Sequence, residues 1–461
     1  MKLRDAVIDI GPLRISREFR LVFTARLISI FGLGFALVAL PLQVYSATQS
    51  SVLVAVVSAV NGVSIFGGTL VGGVLADRYS RRALIVSGRA AAALAFSGLA
   101  LNALWAQSGG GSASFAVICV CAALNGFVGT FSTVALQAVV PGLLPRERLP
   151  AAGALLALTG QLGSIAAPAL SGAIVAVWGF AAVFGITAAV SALATGLVLL
   201  LPPLPPAGGD AAEGRGMAGA AVEGMRFAAR HRTVGPLLLL GFVQLLFATP
   251  YVLIPEFTDT VLHAGETAAG LLYSASACGA VLASLSSGWT RRARRSGALL
   301  LTAVACCGLA AAGFGAAPHL ALAAAALAAL GFAEIVEEIL RFALLQSHTP
   351  DALRGRVNSV WTAQNTVGGG LGALMLGALA PLIGAGAAVM AGGAVTVALV
   401  AVLAAAFPGL RAAVASGAGG PDSGADAEAA GGGNDARRPA VDAADPADPA
   451  QQSSDGQGLR S

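Results

Sequence analysis

The sequence predicts an all-α polytopic membrane protein whose twelve transmembrane helices form two six-helix, pseudo-symmetric halves. Three observations carry this prediction. The 461 residues are 56% hydrophobic and only 11% charged, with a mean hydropathy of +0.80; a soluble surface cannot be built from so few charges. Apolar windows of roughly 20 residues, the length that crosses about 30 Å of hydrocarbon, recur along the chain. Arginines fall in every second connection between those windows and are missing from the others.

The first six spans run over 21–45, 52–76, 83–105, 115–139, 152–176 and 180–201, and the second six over 235–256, 267–289, 297–316, 320–345, 357–382 and 386–407. Residues 1–20 carry Lys2, Arg4, Arg14, Arg17 and Arg20 ahead of an apolar run without a small-residue cleavage pattern, so they read as a cytoplasmic tail and not a signal peptide. Residues 202–234 form a Pro/Gly-rich linker between the halves. Within it, Val222 to Arg232 is basic and amphipathic, suited to a membrane surface. Residues 408–461 hold Gly, Ala, Asp and Pro with almost no large apolar side chain, and are expected to be a disordered cytoplasmic tail.

Charge placement orients the chain. Arg78, Arg81 and Arg82 follow span two, Arg146 and Arg148 follow four, and Arg215, Arg226, Arg230 and Arg232 follow six. Arg291, Arg292, Arg294 and Arg295 follow eight, Arg354 and Arg356 follow ten, and Arg411, Arg437, Arg438 and Arg460 follow twelve. The connections near residues 48, 110, 178, 262, 318 and 384 contain neither Lys nor Arg. By the positive-inside rule the arginine-bearing connections and both termini are cytoplasmic.

The remaining composition excludes several classes. Lys2 is the sole lysine among 27 Lys and Arg residues, a compositional bias, and the net charge of +4 implies no nucleic acid partner. Cys119, Cys121, Cys278, Cys306 and Cys307 lie in apolar stretches and offer neither a disulfide framework nor zinc-ligand spacing. No phosphate-binding Gly-rich loop, metal constellation or activated nucleophile is present, which argues against an ATP pump or a membrane hydrolase. The expectation is a protein that is not an enzyme, needs no cofactor, and draws its energy from an ion gradient.

The two sets of spans resemble repeats. Gly73 to Arg82 after span two has a degraded counterpart in Gly288 to Gly297 after span eight, and Pro145 to Leu149 matches Pro350 to Arg354. Parallel repeats of this kind put a substrate cavity between the halves near the bilayer midplane. The segment Gly73-Val-Leu-Ala-Asp77-Arg78-Tyr-Ser-Arg81-Arg82 resembles the loop signature of the major facilitator superfamily, with Ser80 where that family usually has Gly. Gly73 permits close helix approach, Asp77 can accept hydrogen bonds across the cytoplasmic face, and Arg78, Arg81 and Arg82 hold the loop inside. Such a latch stabilises an outward-open state; the alternative is a plain positive-inside loop. Span five holds Gly163-Ser-Ile-Ala-Ala-Pro168-Ala-Leu-Ser-Gly172, a loose form of the superfamily's exporter motif, in which Pro168 bends the helix and the glycines allow tight packing.

Within that superfamily, Ala25 to Phe31, Val71 to Tyr79 and Val360 to Asn365 resemble the enterobactin (siderophore) exporter family, and span order and loop length agree over most of residues 17–405. The resemblance implies proton-driven efflux of a siderophore across the plasma (inner) membrane. Macrolide and other drug exporters belong to the same branch, so drug efflux is the alternative cargo class. A transport-inactive scaffold or receptor is the second alternative.

Charges inside the spans carry information of their own, since each costs about 2.5–3.5 kcal/mol at a helix centre. Glu334, Glu337, Glu338 and Arg341 in span ten fall within one arc of roughly 100°, so all four are expected to face the bundle interior. Glu337 and Arg341 have ion-pair spacing, which leaves Glu334 and Glu338 as carboxyl groups free to exchange protons. A structural ion network is the competing reading. Arg26, two turns into span one, either meets an anionic substrate in the cavity or snorkels to the headgroups.

Overall fold

A computed structural model describes residue 13 and residues 15–109, 113–139, 143–145, 148–201, 217–287 and 295–414. Among the described residues the regular structure is helical, and eleven helical segments are long and apolar enough to cross a membrane. The first set comprises α1 (Arg17–Thr48), α2 (Ser51–Arg78), α3 (Arg81–Gln107), α4 (Phe115–Phe127) continued by α5 (Gly129–Val139), and α6 (Leu149–Leu199). The second comprises α8 (Val234–Phe247) with α9 (Ile254–Thr260), α10 (Glu266–Ser286), α11 (Ser296–Gly315), α12 (Leu320–Ser347), α13 (Asp351–Ile383) and α14 (Ala385–Ala406). Between the sets lies α7 (Met217–Arg230), and α15 (Pro408–Ala412) closes the described chain.

The count of eleven reconciles with twelve spans at Gly179. This residue has φ 77° and ψ 176° inside α6, so spans five and six are two helices that meet there without an intervening loop. Only a residue lacking Cβ adopts that conformation cheaply. Gly384, with φ 86° and ψ 151°, joins α13 to α14 in the same way. The two sets therefore make their last turn with the same backbone device. Ser80 has a local role of its own: its Oγ accepts from the Ala83 amide at 3.3 Å and caps the start of α3.

Packing between the first set and the second is concentrated at the arginine-free ends. Gly172 on α6 abuts Gly270 on α10, where an added Cβ on Gly172 would stand 2.8 Å from the Gly270 Cα. Gly377 on α13 meets Ser51 and Ala55 on α2, with Ala55 Cβ 2.6 Å from where a Gly377 Cβ would be. Toward the arginine-rich end of α2, Gly73 has no atom within 4 Å of such a position. Small residues thus close one end of the bundle.

The amphipathic linker segment is the helix α7. It packs along α13 through an ion pair between Glu223 and Arg356, and Gly224 sits against the Arg356 carbonyl, where an added Cβ would be 2.6 Å from the oxygen. At its end His231 Nδ1 accepts from the Thr233 and Val234 amides, both at 3.2 Å, and so caps α8. Burial, with His348 nearby, lowers the His231 pKa and keeps this nitrogen an acceptor. Residues 1–12, 202–216, 288–294 and 415–461 lie outside the described residues, and with them most of the tails, Arg291, Arg292, Arg294 and the repeat partner of the span-two loop.

Candidate functional site

Glu334 sits 14 residues into the 28-residue α12, about 20 Å from either end at 1.5 Å per residue, which is the middle of a bilayer-length helix. No cation holds it. Its Oε2 accepts from the Tyr251 hydroxyl at 2.6 Å and its Oε1 from the Gln244 side-chain amide at 3.3 Å. The Tyr251 oxygen also lies 2.8 Å from Ser276 Oγ, and Tyr273 donates to the Tyr251 carbonyl at 2.8 Å, its ring stacked on that of Tyr251 with centroids 6.4 Å apart. A carboxyl group at the midplane is thereby held by neutral donors from span seven and backed by span eight.

Local sequence explains why those donors are there. Span seven breaks after Phe247, and Pro250 to Leu253 form one 3-10 turn before α9. Pro250 lacks a backbone N–H and cannot extend the preceding helix, so the backbone around Tyr251 departs from the regular ladder. The Tyr273 bond satisfies one carbonyl that this break frees. On the other side, α10 and α12 approach at Gly331, where an added Cβ would fall 2.1 Å from the Ser276 carbonyl oxygen. Glycine at this position is what lets Ser276 reach the cluster.

One turn toward the arginine-rich end, Glu337 and Arg341 form the expected pair, with Nε 2.8 Å from Oε1 and both side chains at most 3% exposed. The guanidinium lies against Gly241 on α8; an added Cβ there would stand 1.2 Å from Nη1. Nη1 has no hydrogen-bond acceptor among the described residues. Glu338 is the fourth member of this set. It is exposed, because it stands at the edge of the arc, 100° beyond Glu337.

The remaining candidates are placed as follows. Asp77 ends the span-two helix, with its side chain outside the described residues, and Arg78 is exposed beside it. Arg82 donates to the Leu199 carbonyl at 2.7 Å, tying the start of α3 to the end of α6. Arg81 stands at the first position of α3. Gly163 packs on Ile30, where an added Cβ would be 2.1 Å from Cγ2, and Pro168 and Gly172 are buried against Gly270, so this stretch is wedged between α1 and α10. Arg26 is partly buried on the stripe that includes the exposed Leu33 and Leu37. Tyr251, Tyr273 and Ser276 escape a reading of the sequence; the one local hint is a tyrosine directly after a proline in an apolar span. No group of residues with metal-ligand spacing occurs among the described residues.

The model of the Major Facilitator Superfamily matches residues 22–373. The chain belongs to that superfamily. Among individual relatives, the Enterobactin exporter EntS of Shigella boydii serotype 4 is 35% identical over 383 residues, covering 83% of this chain and 90% of that protein. The Citrobacter koseri protein of the same name is 35% identical over 382 residues, with the same coverage. The fold also matches solved major facilitator structures. A nucleoside transporter, NupG, superposes with a TM-score of 0.69 at 15% identity, covering 86% of this chain and 100% of that one, and a POT peptide transporter gives 0.69 at 13%. The protein is a multi-pass membrane transporter and not an enzyme, as the spans and the superfamily together require.

Proposed function

We propose that this transporter exports a siderophore of the enterobactin class from the cytoplasm, driven by protons that enter through Glu334. The observation that carries the cargo is 35% identity to an enterobactin exporter over 90% of that protein's length. The observation that supports the coupling is a midplane carboxyl group with neutral hydrogen-bond partners and no counter-cation among the described residues, since a proton carrier must alternate between charged and neutral forms without a permanent partner. Deleting the gene under iron limitation should raise intracellular catecholate and lower its appearance in the medium, both measured by chromatography. Unchanged secretion with increased drug sensitivity would assign the protein to drug efflux.

Both termini and the 202–234 linker are proposed to be cytoplasmic, and the bundle, closed at its arginine-free end, then faces inward. A reporter fused at residue 215 should score cytoplasmic and one at residue 110 external; reversal of either result overturns the topology. In this orientation Asp77 belongs to the gate that must form when the cavity turns outward. Asp77→Asn should therefore slow efflux about tenfold or more, equivalent to about 1.4 kcal/mol on the outward-open state, while membrane abundance stays unchanged. Normal efflux by this variant would reduce the motif to a topology signal.

A further inference from the structure

Packing takes up one face of the linker helix α7 and leaves the other open. Gly224 lies against α13, where an added Cβ would stand 2.6 Å from the Arg356 carbonyl oxygen and 3.1 Å from Val360 Cγ2. Glu223 pairs with the Arg356 side chain. One turn on, the Ala228 carbonyl meets Gly235 of α8, 2.6 Å from where a Cβ would be. The opposite face carries Met225, Arg226, Ala229 and Arg230, all exposed, Met225 by 56%. Neither Arg226 nor Arg230 has a hydrogen bond or ion pair among the described residues.

The residues that α7 touches place it on the bilayer side of the bundle. Arg356, Val360, Val367 and Leu371 are spaced i, i+4, i+11 and i+15, a single stripe of α13. Val367 and Leu371 are exposed by 38% and 43%, apolar side chains that hydrocarbon covers. The exposed polar residues of the same helix, Asn358 and Thr362, lie about 140–180° around from Val367. On α8 the exposed Leu239 follows Gly235 at i+4, so the second contact gives the same side. The depth also agrees. Val367 is the middle of α13 (Asp351–Ile383), and half of about 30 Å of hydrocarbon is about ten residues at 1.5 Å each, which puts its boundary near residue 357. α7 crosses α13 at that level.

We infer that α7 is a surface-seated helix whose Arg226 and Arg230 bind anionic phospholipid headgroups of the leaflet at the arginine-rich end, with Met225 and Ala229 against the acyl boundary. The occupant follows from charge and level: two exposed arginines one turn apart, without a protein acceptor, stand where phosphates line the hydrocarbon edge. The rotation of the helix fits this occupant. Side chains tilt toward the N-terminus of their helix, so Arg356 of α13 leans to the arginine-rich end and takes Glu223 with it. Met225, two residues on and about 160° around α7 from Glu223, is thereby turned toward the hydrocarbon. Because α7 is seated on α13 and α8, leaflet charge anchors the linker to the second set of spans, apart from Glu334 and the space between the halves.

The test is amide hydrogen exchange, read by mass spectrometry, on the purified full chain in nanodiscs of phosphatidylcholine alone or mixed equally with phosphatidylglycerol. Residues 223–230 should exchange about 25-fold more slowly in the mixed nanodiscs, at about fivefold for each arginine beside an anionic surface. Arg226→Gln and Arg230→Gln should each remove about fivefold of this protection, and the double variant nearly all of it. Arg226→Lys with Arg230→Lys should keep most. Peptides of α12 should exchange alike in every sample, which shows that the variants keep the fold. Equal exchange of α7 in the two nanodiscs, or a difference that the double Gln variant retains in full, would overturn the inference. So would inorganic phosphate that protects α7 in phosphatidylcholine as well as phosphatidylglycerol does, since a free anion and not the bilayer would then be the ligand.

Discussion

Replacing Glu334 with Gln is expected to abolish the response of export to an imposed pH gradient while downhill exchange of cargo continues. In proteoliposomes, a gradient of one pH unit supplies about 1.4 kcal/mol per proton, a tenfold accumulation ratio for one-to-one coupling. The variant should show none of this. Its side chain keeps an oxygen to accept from Tyr251, which donates at 2.6 Å, so the cluster retains its main contact, but an amide cannot take up and release a proton. Tyr251→Phe is the matched control: it removes a donor and leaves the carboxyl group, and some gradient response should survive. Gradient-stimulated transport persisting in Glu334→Gln would leave the cluster as a structural network, whatever the cargo.

What the sequence made legible, and what it hid, divides along the reach of helical periodicity. Arginine placement and span length indicate the bundle because hydrocarbon tolerates so few alternatives. The Glu337–Arg341 pair was legible for a similar reason, as both ends lie on one helix at i, i+4 spacing. Tyr251 was not, because it reaches Glu334 from 83 residues away, across a helix break whose geometry periodicity does not describe. Glu338 stands at the edge of the 100° arc and is exposed, and position on the arc alone does not say what an exposed carboxyl group meets. The merger of spans five and six follows from Gly179, which turns the chain without a polar loop to mark the turn.

The second large effect is expected on stability, at the ion pair one turn below Glu334. Glu337→Gln removes the negative partner of a guanidinium that is almost wholly buried, and breaking such a pair from one side costs about 3–5 kcal/mol because a buried charge is left uncompensated. Gly241→Ala should act through the same group. A methyl there would stand 1.2 Å from Arg341 Nη1, so the guanidinium must leave its position and its contact with Glu337. Both variants should lower the melting temperature in detergent and reduce membrane abundance, measured by thermal shift with fluorescence-detected size exclusion. Removing both charges at once, as Glu337→Leu with Arg341→Met, should restore most of the lost stability, since an apolar pair of similar volume has no charge to desolvate. If that double variant keeps gradient-driven export, the pair serves the fold and Glu334 carries the coupling alone. If it is stable but uncoupled, Arg341 takes part in the proton cycle, and the midplane carboxyl group works in concert with the charge one turn away.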